Sequence, residues 1–254
     1  MGWAARRRFI ILLLVGSVIA AFLVVILISI FTKTPSCTDG IQNQNESGID
    51  CGGSCSYLCT EEQRPPTVLF TKIISNEEGR TDVVASVENI NTQSAAKNVS
   101  FTVTLYGANQ LFLQELSGTM DLPPSSTVPV FMPGITTGKQ KILRAFLSIA
   151  SSSPKWISMT NNPNLKPIVL NTLLGSATST PRIDAILGNS SVAPLLDIPV
   201  VIFVHDAQGE IIAASKTVVP TIPAQGQATA TFTWNKGFVR PPAALEVIPI
   251  VVLP

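Results

Sequence analysis

An unbroken apolar stretch near the N-terminus constrains this chain more than any other feature of its sequence. Phe9–Phe31 reads FIILLLVGSVIAAFLVVILISIF and contains no charged residue. An α-helix rises about 1.5 Å per residue, so this stretch would be about 34 Å long, enough to cross a hydrocarbon core of about 30 Å. We therefore predict a transmembrane helix at residues 9–31, preceded by a cytoplasmic tail at residues 1–8.

The charges that flank this stretch indicate its orientation. Three arginines, Arg6–Arg8, precede it, and only Lys33 follows closely. The positive-inside rule then predicts a cytoplasmic N-terminus and an extracytoplasmic remainder. The alternative is a cleaved signal peptide, but the apolar core of a signal peptide is shorter and ends in a small-x-small cleavage site. We favour an uncleaved anchor in the cell membrane.

The composition agrees with a membrane protein and excludes one class of partner. Charged residues make up 13% of the chain, hydrophobic residues 46%, and the mean hydropathy is +0.38. A typical soluble domain has about 25% charged residues. Without the three N-terminal arginines the remainder is close to neutral, whereas nucleic-acid binding requires clustered Lys and Arg. We therefore predict no nucleic-acid partner.

All four cysteines follow the apolar stretch within one short segment, CTDGIQNQNESGIDCGGSCSYLC. Outside the cytoplasm, an even number of cysteines in a Gly-rich stretch indicates disulfides. Zinc is the alternative, since the cysteine spacing fits a zinc site loosely. We predict a disulfide-rich stem at residues 32–64, with three pairings open, formed by Cys37, Cys51, Cys55 and Cys59.

The same segment is rich in side-chain oxygen atoms, which calcium prefers as ligands. The candidate calcium ligands are Asp39, Asn43, Glu46 and Asp50. Their spacing is not that of an EF-hand, and in the alternative interpretation these side chains cap turns in a solvated loop. No other cofactor is expected. The segment resembles a Cys-x-Asp-Gly…Asp-Cys-Gly-Gly-x-Cys signature of microbial surface proteins, and that resemblance implies a surface location.

The rest of the chain repeats itself at an offset of about 100 residues. The aligned segments are Val68–Ile74 with Ile168–Leu174, Val83–Asn89 with Ile183–Asn189, Val99–Leu105 with Ile198–Val204, and Pro124 with Pro223. An offset that persists over several segments indicates two copies of one domain. We predict domains at residues 65–160 and 163–254, after a stiff Pro-rich linker.

Each copy has the pattern of an all-β domain. Phe101, Val103 and Leu105 alternate with threonines, which is the period of a half-buried strand. Hairpin loops are predicted at Gly107–Gln110 and Asp206–Gly209. Short strands in units of about 90 residues favour an immunoglobulin-like β-sandwich.

One strand-and-turn motif resembles a known family. Phe101–Gly107 reads FTVTLYG and is similar to the Phe-x-(x-x)-Leu-Tyr-Asp strand and turn of the FxLYD family of bacterial and archaeal β-sandwich domains. In the second copy, Val200–Asp206 reads VVIFVHD and keeps the aspartate. Gly107 stands where the family has Asp, and His205 stands where it has Tyr. The resemblance implies a fold and an envelope location but no reaction.

Few residues in the sequence are suited to catalysis. His205 is the only histidine, and no nucleophile elbow or phosphate-binding loop accompanies it. We interpret it as a strand residue rather than a general base, although a Ser–Lys dyad would leave little sequence signal. The chain is predicted not to be an enzyme.

One difference between the copies indicates a contact surface. Thr102 and Thr104 correspond to Val201 and Phe203. If the residues between them face the core, Val201 and Phe203 point to the opposite face of the sheet, and an apolar patch there has to be covered. The neighbouring domain is the simpler cover, and a partner protein is the alternative.

These patterns predict a membrane-anchored, extracytoplasmic interaction or structural protein of the cell envelope, with an envelope protein as its partner. The alternative is an accessory subunit of a membrane assembly in which the helix is part of the interface. For that role, Gly16, Ser17, Ala20 and Ala21 place small residues on one helix face.

Overall fold

A computed structural model describes residues 2–31, 36–43, 45–75, 80–138, 140–150, 154–160, 166–177 and 179–253. It has one α-helix, α1 (Trp3–Phe31), and otherwise short 3₁₀ turns and strands. Contacts divide the chain into two compact units, residues 1–55 and 56–254. The prediction of an all-β chain with one N-terminal apolar helix is confirmed.

Helix α1 is long and apolar enough to cross a membrane. Its most apolar part, Arg6–Ile28, has a hydropathy of 3.3, and none of it is buried against the protein. The helix begins at Trp3, earlier than the predicted boundary at Phe9, because nothing in the preceding basic residues breaks a helix. Arg7 lies over the Trp3 ring, 5.5 Å from its centroid.

Thirteen strands lie in the described residues of the second unit. Their bounds are β1 Thr67–Ser75, β2 Thr81–Asn89, β3 Ser94–Tyr106, β4 Phe112–Leu122, β5 Ser126–Ile135, β6 Arg144–Ile149, β7 Trp156–Ser158, β8 Ile168–Ser176, β9 Arg182–Gly188, β10 Leu195–His205, β11 Ile211–Ile222, β12 Gln227–Thr233 and β13 Ala244–Pro249. Short 3₁₀ turns lie at Thr60–Glu62 and Ala108–Gln110.

The strands form four antiparallel sheets. The first two, here called the first sheet pair, have the orders β1-β2-β5 and β4-β3-β6, with β7 also paired to β3. The other two, the second sheet pair, have the orders β8-β9-β12 and β11-β10-β13. The strand order of the first sheet pair is therefore repeated in the second.

Each sheet pair encloses its own apolar core. The first core includes Val83, Leu105 and Trp156, and the second includes Ile183, Ile202 and Phe232. These side chains alternate along their strands with residues on the opposite face, as the period of two requires. Burying each one stabilises the fold by about 1.5–3 kcal/mol.

A buried asparagine holds the corresponding turns together in both sheet pairs. The Asn89 side-chain amide donates to the carbonyl oxygens of Ser94, Leu122 and Pro123, and its Oδ1 accepts from the Asn91 N–H. Asn189 makes the corresponding bonds to Ala193, Ile222 and Pro223, and its Oδ1 accepts from the Ser191 N–H. Because Pro123 and Pro223 accept equivalent bonds, Pro123 is the residue that corresponds to Pro223, and the sequence-based match of Pro124 with Pro223 is wrong by one residue.

The strand registers revise a second detail of the sequence alignment. Val68 lies opposite Val87, and Val169 lies opposite Leu187. Val68 therefore corresponds to Val169, one residue beyond the offset of 100 assigned from the sequence. The two valines are the residues packed against the cores, because a shift of one residue exchanges the two faces of a strand.

The last residues of the predicted stem belong to the second compact unit. The Leu58 N–H donates to the Trp156 carbonyl oxygen at 2.8 Å, and Tyr57 forms a bridge with Ile157. Ser94 Oγ also bonds Gln63 Oε1 at 2.5 Å. Residues 56–64 therefore pack on the first sheet pair and are not a separate spacer.

Candidate functional site

The cysteine-rich loop is closed by disulfides. Cys37 pairs with Cys55 at a Cα–Cα distance of 5.7 Å, and Cys51 and Cys59 are disulfide-bonded as well. The predicted disulfides are confirmed. A zinc site formed by these sulfur atoms would need free thiolates, and none of the four cysteines is free.

The double glycine of this loop is required by its geometry. Gly52 and Gly53 have φ angles of +74° and +56°. A Cβ on Gly53 would lie 1.9 Å from the Asn45 carbonyl oxygen, and a Cβ on Gly52 would lie 2.6 Å from Ser47 Oγ. Only glycine fits both the backbone conformation and the space. The Cys-Gly-Gly-x-Cys signature therefore encodes a tight turn.

The buried carboxylate of the loop is Glu46, which is 7% exposed. Its Oε2 accepts from the backbone N–H groups of Asn43 and Asp50, at 3.2 and 3.3 Å. Its Oε1 lies 3.0 Å from Cys55 Sγ. A disulfide sulfur carries no proton, so this last approach is a close contact and not a hydrogen bond.

The other candidate calcium ligands also accept bonds within the loop. Asp50 accepts from the N–H groups of Asp39 and Gly40, and Asp39 accepts from the Ile41 N–H and the Asn43 side-chain amide. Among the described residues, Asn43 Oδ1 is buried without a hydrogen-bond donor. The structure thus brings Asp39, Asn43, Glu46 and Asp50 into one loop, and calcium binding there stays a prediction.

The two residues predicted to contact a partner lie inside a third apolar cluster, here called the inter-sheet cluster. Val201 and Phe203 of β10 are each 1% exposed and pack with Val84 of β2. The Phe203 ring meets the Phe70 ring edge to face, at 6.2 Å between centroids. The remaining members are Ala214, Ile74, Phe131, Ile211, Ile248 and Ile250.

This cluster joins the outer face of sheet β1-β2-β5 to the outer face of sheet β11-β10-β13. A salt bridge between Lys72 and Glu210, 2.8 Å long and partly exposed, lies between the same two sheets. The apolar patch on β10 is therefore covered by the chain itself. Val201 and Phe203 are not accessible to a partner while the two sheet pairs stay docked.

The corresponding face of sheet β8-β9-β12 carries a polar cluster beside the exposed Leu173. Asp184 of β9 occupies the position of Val84, and Thr231, its partner on β12, occupies the position of Phe131. Asp184 accepts from Arg182 Nε at 2.9 Å and from Thr231 Oγ1 at 2.6 Å. The hydrogen bond from the Arg182 guanidinium, followed by that from Thr231, holds the pKa of Asp184 below its usual value.

His205 and Asp206 organise the hairpin between β10 and β11. His205 Nε2 lies 3.0 Å from Glu246 Oε2, and its Nδ1 lies 3.2 Å from the Gly209 carbonyl oxygen. Both ring nitrogens therefore face oxygen atoms of this hairpin and of β13 rather than a nucleophile. This placement agrees with the interpretation of His205 as a strand residue.

Asp206 is a buried carboxylate that closes the turn. Burial raises the pKa of Asp206, but hydrogen bonds from the backbone N–H groups of Glu210 and Gln208 outweigh it, together with an ion pair to Arg240. The net pKa therefore lies below its usual value. In the first sheet pair, Gly107 opens the matching loop, where its N–H donates to the Leu111 carbonyl oxygen at 2.8 Å.

An open groove of about 730 Å³ runs beside β8 and β13. Its walls are mainly apolar and include Pro124, Ile168, Val247 and Ile248, with Lys166 and Glu246 as the charged residues. A volume of this size is within the range of binding clefts, which combine apolar walls with a few polar groups. The sequence could not show this groove, because it forms between strands far apart in the chain.

Comparisons with known proteins give no assignment. No family model matches the chain, and no curated protein matches it. Among solved structures, the chain is similar to a red sea bream transglutaminase (12% identity, TM-score 0.23, 74% of this chain and 32% of that one). It is also similar to a glycoside hydrolase family 2 beta-glucuronidase (10% identity, TM-score 0.20, 80% of this chain and 25% of that one). A third similar structure is the Amycolatopsis orientalis exo-chitosanase CsxA (11% identity, TM-score 0.17, 70% of this chain and 26% of that one). The chain spans about a third or less of the length of these proteins.

Proposed function

We propose that this chain is a membrane-anchored interaction or structural protein of the cell envelope and that it has no catalytic activity. Helix α1 is the anchor, with the N-terminus in the cytoplasm. The rest of the chain presents two tandem, FxLYD-like domains with an immunoglobulin-like β-sandwich fold outside the membrane, where they bind an envelope protein.

The observation that carries this proposal is an apolar helix with no protein cover, attached to a module whose cysteines are all oxidised. A helix buried in a soluble core would be covered on most sides, but α1 is exposed all around. Disulfides persist in oxidising compartments and are rare in the cytosol. The two features together favour an anchored chain over a cytosolic one.

The docked sheet pairs support a role in presenting surfaces. The inter-sheet cluster buries aromatic and aliphatic side chains, which makes the two pairs act as one body. A rigid body of this kind keeps surfaces at fixed positions, and this reduces the entropy lost on binding. An enzyme that closes two domains around its substrate would instead need those domains to move relative to each other.

The decisive experiment for the anchor combines extraction and labelling. Alkaline carbonate should leave the full chain in the membrane fraction, and N-terminal sequencing should find the native start rather than a residue near Ser36. Thiol alkylation in intact cells should label none of the four cysteines without prior reduction. A soluble chain that starts near Ser36, or four labelled thiols, would refute the proposal.

A second candidate function is an accessory subunit of a membrane assembly. It is favoured by the small side chains on one face of α1, which would allow another helix to approach closely. Ser17 Oγ already donates to the Leu14 carbonyl oxygen at 2.8 Å, so it needs no partner for its own hydrogen bond. Replacing α1 by an unrelated anchor should abolish copurification in this case, and should leave it unchanged if the β-domains bind the partner.

Calcium in the cysteine-rich loop remains part of the proposal. The buried Asn43 Oδ1 without a donor and the carboxylates of Asp39 and Asp50 supply oxygen atoms of the kind that calcium binds. Calcium should raise the melting temperature of the wild-type chain, and Asp39→Asn with Asp50→Asn should remove that increase. A calcium-independent melting temperature would refute the site, and magnesium serves as the control ion.

A further inference from the structure

Strand β8 is unusual among the edge strands of this molecule. It pairs with β9 on one side, and no strand described by the structure pairs with it on the other. Ile168, Leu170 and Leu173 are 55%, 50% and 55% exposed. An exposed apolar edge presents unpaired backbone groups to any other strand that approaches it.

Proteins commonly protect such edges with charges, prolines or covering segments. The long edge strands of this chain follow that rule, with Lys72 in β1, Glu115 and Asp121 in β4, Pro129 and Pro133 in β5, and Lys216 and Pro220 in β11. Within the described part of the chain, β8 is the only edge strand of nine or more residues that has neither a charge nor a proline.

The comparison with β1, the corresponding strand of the first sheet pair, is direct. Lys72 lies at the middle of β1 and forms the salt bridge to Glu210. Thr71 Oγ1 also accepts from the Leu147 N–H of β6, at 3.2 Å, so that strand covers part of the β1 edge. In β8 the central residues are Asn171, Thr172 and Leu173, which carry no charge.

We propose that β8 is the interface of a homodimer, in which the β8 strands of two copies pair in antiparallel fashion. The two sheets β8-β9-β12 would then form one continuous six-stranded sheet. A second copy fits this edge because β8 is itself an uncharged, apolar strand, so self-pairing brings no like charges together. Pairing of two β1 strands would instead bring two Lys72 ammonium groups close.

A two-fold axis perpendicular to the paired strands makes such an interface isologous and closed. The exposed leucines and isoleucine of β8 gain cover from the other copy, and its unpaired backbone groups gain hydrogen bonds. The Thr172 N–H, which donates to Asn171 Oδ1 at 2.8 Å, exchanges that bond for one to the other copy. The ends of the six-stranded sheet would both be β12, a seven-residue strand that packs beside β11 and is too short to offer an edge as long as that of β8.

The test uses the full chain in detergent, and its first measurement is molar mass by light scattering. The wild type should be a dimer. Leu173→Lys should weaken dimerisation at least about tenfold, because it places an ammonium group on each of two paired strands. Val218→Lys is the matched control, since Val218 is 51% exposed on β11, an edge that already contains Lys216 and Pro220.

The second measurement is disulfide cross-linking. All native cysteines are oxidised, so an introduced cysteine is the only free thiol. Asn171→Cys or Leu173→Cys should give a cross-linked dimer on mild oxidation, whereas Val218→Cys should not. Circular dichroism melts of the variants confirm folding, which the exposure of these positions favours.

Three results would overturn the proposal. The first is a wild-type chain that is monomeric at every concentration measured, as the variants are. The second is a dimer that survives Leu173→Lys and is not cross-linked through β8, because helix α1 would then be its interface. The third is a broad range of larger species, which would identify β8 as a site of aggregation.

Discussion

The clearest quantitative prediction concerns Phe203, which should couple the two sheet pairs. The side chain is 1% exposed, packs with Val84 and meets the Phe70 ring edge to face. Phe203→Ala removes the ring and leaves a cavity that rigid strands on both sides cannot fill. Large-to-small changes of buried phenylalanine cost about 3–5 kcal/mol. A loss of 3 kcal/mol corresponds to a fall of at least about 6 °C in melting temperature for a unit of this size.

The assay is urea and thermal unfolding of the full chain in detergent, with disulfides intact. Phe146→Ala is the matched control, because it makes the same chemical change at a residue that is 56% exposed, and it should cost less than about 1 kcal/mol. Phe203→Ala should also separate the unfolding of the two sheet pairs into two transitions. If the two variants lose equal stability, or if Phe203→Ala loses less than about 1 kcal/mol, the inter-sheet cluster does not hold the pairs together.

Three further predictions can be tested by unfolding and labelling. Asn189→Ala should cost about 1–3 kcal/mol in urea unfolding, because it leaves buried carbonyl oxygens without a donor, whereas Ser190→Ala at an exposed neighbour should cost little. The folded pKa of Asp206 is depressed, so its contribution is complete above the unfolded value of about 3.9 and is lost as pH falls below it. Asp206→Asn should therefore flatten the stability profile in that acid range, and an unchanged profile would contradict the assignment. Gly53→Ala should lower the yield of chain in which all four cysteines resist alkylation, because its Cβ would overlap the Asn45 carbonyl oxygen, whereas Gly40→Ala meets no such contact.

Several elements of the fold follow from the sequence because they depend on local pattern. The uncharged run from Phe9 to Phe31 predicts the helix, and alternation in Phe101–Leu105 predicts a strand with its apolar residues in the core. The same logic predicted that Val201 and Phe203 face away from the core of their own sheet pair. The hairpin loops at Gly107 and Asp206 also lie where the turn residues indicate.

Other features depend on which strands meet, and a period of two does not carry that information. The bulges at Leu69 in β1 and Leu170 in β8 shift the register by one residue, and no turn residue marks them in the sequence; the second irregularity of β8 lies at Gly175 and is marked by that glycine. The groove beside β13 and the docking of β10 on β2 arise between distant strands. Asn89 and Asn189 are an exception, because a polar residue at the same place in both copies was visible and its burial could have been predicted from that recurrence.

The polar face around Asp184 limits how many domains of this type can be stacked. A third domain added in the same way would have to seat an apolar patch like that of Val201 and Phe203 on Asp184 and Thr231. That step would strip water from a carboxylate and from the guanidinium bound to it, without a new partner for either. At the opposite end, Thr102 and Thr104 stand where Val201 and Phe203 insert, and the exposed aromatic residue on that face is Phe146, which is paired with Thr104. The contact that joins the two sheet pairs therefore cannot be repeated on the face around Asp184, and head-to-tail growth into a filament is blocked at that end.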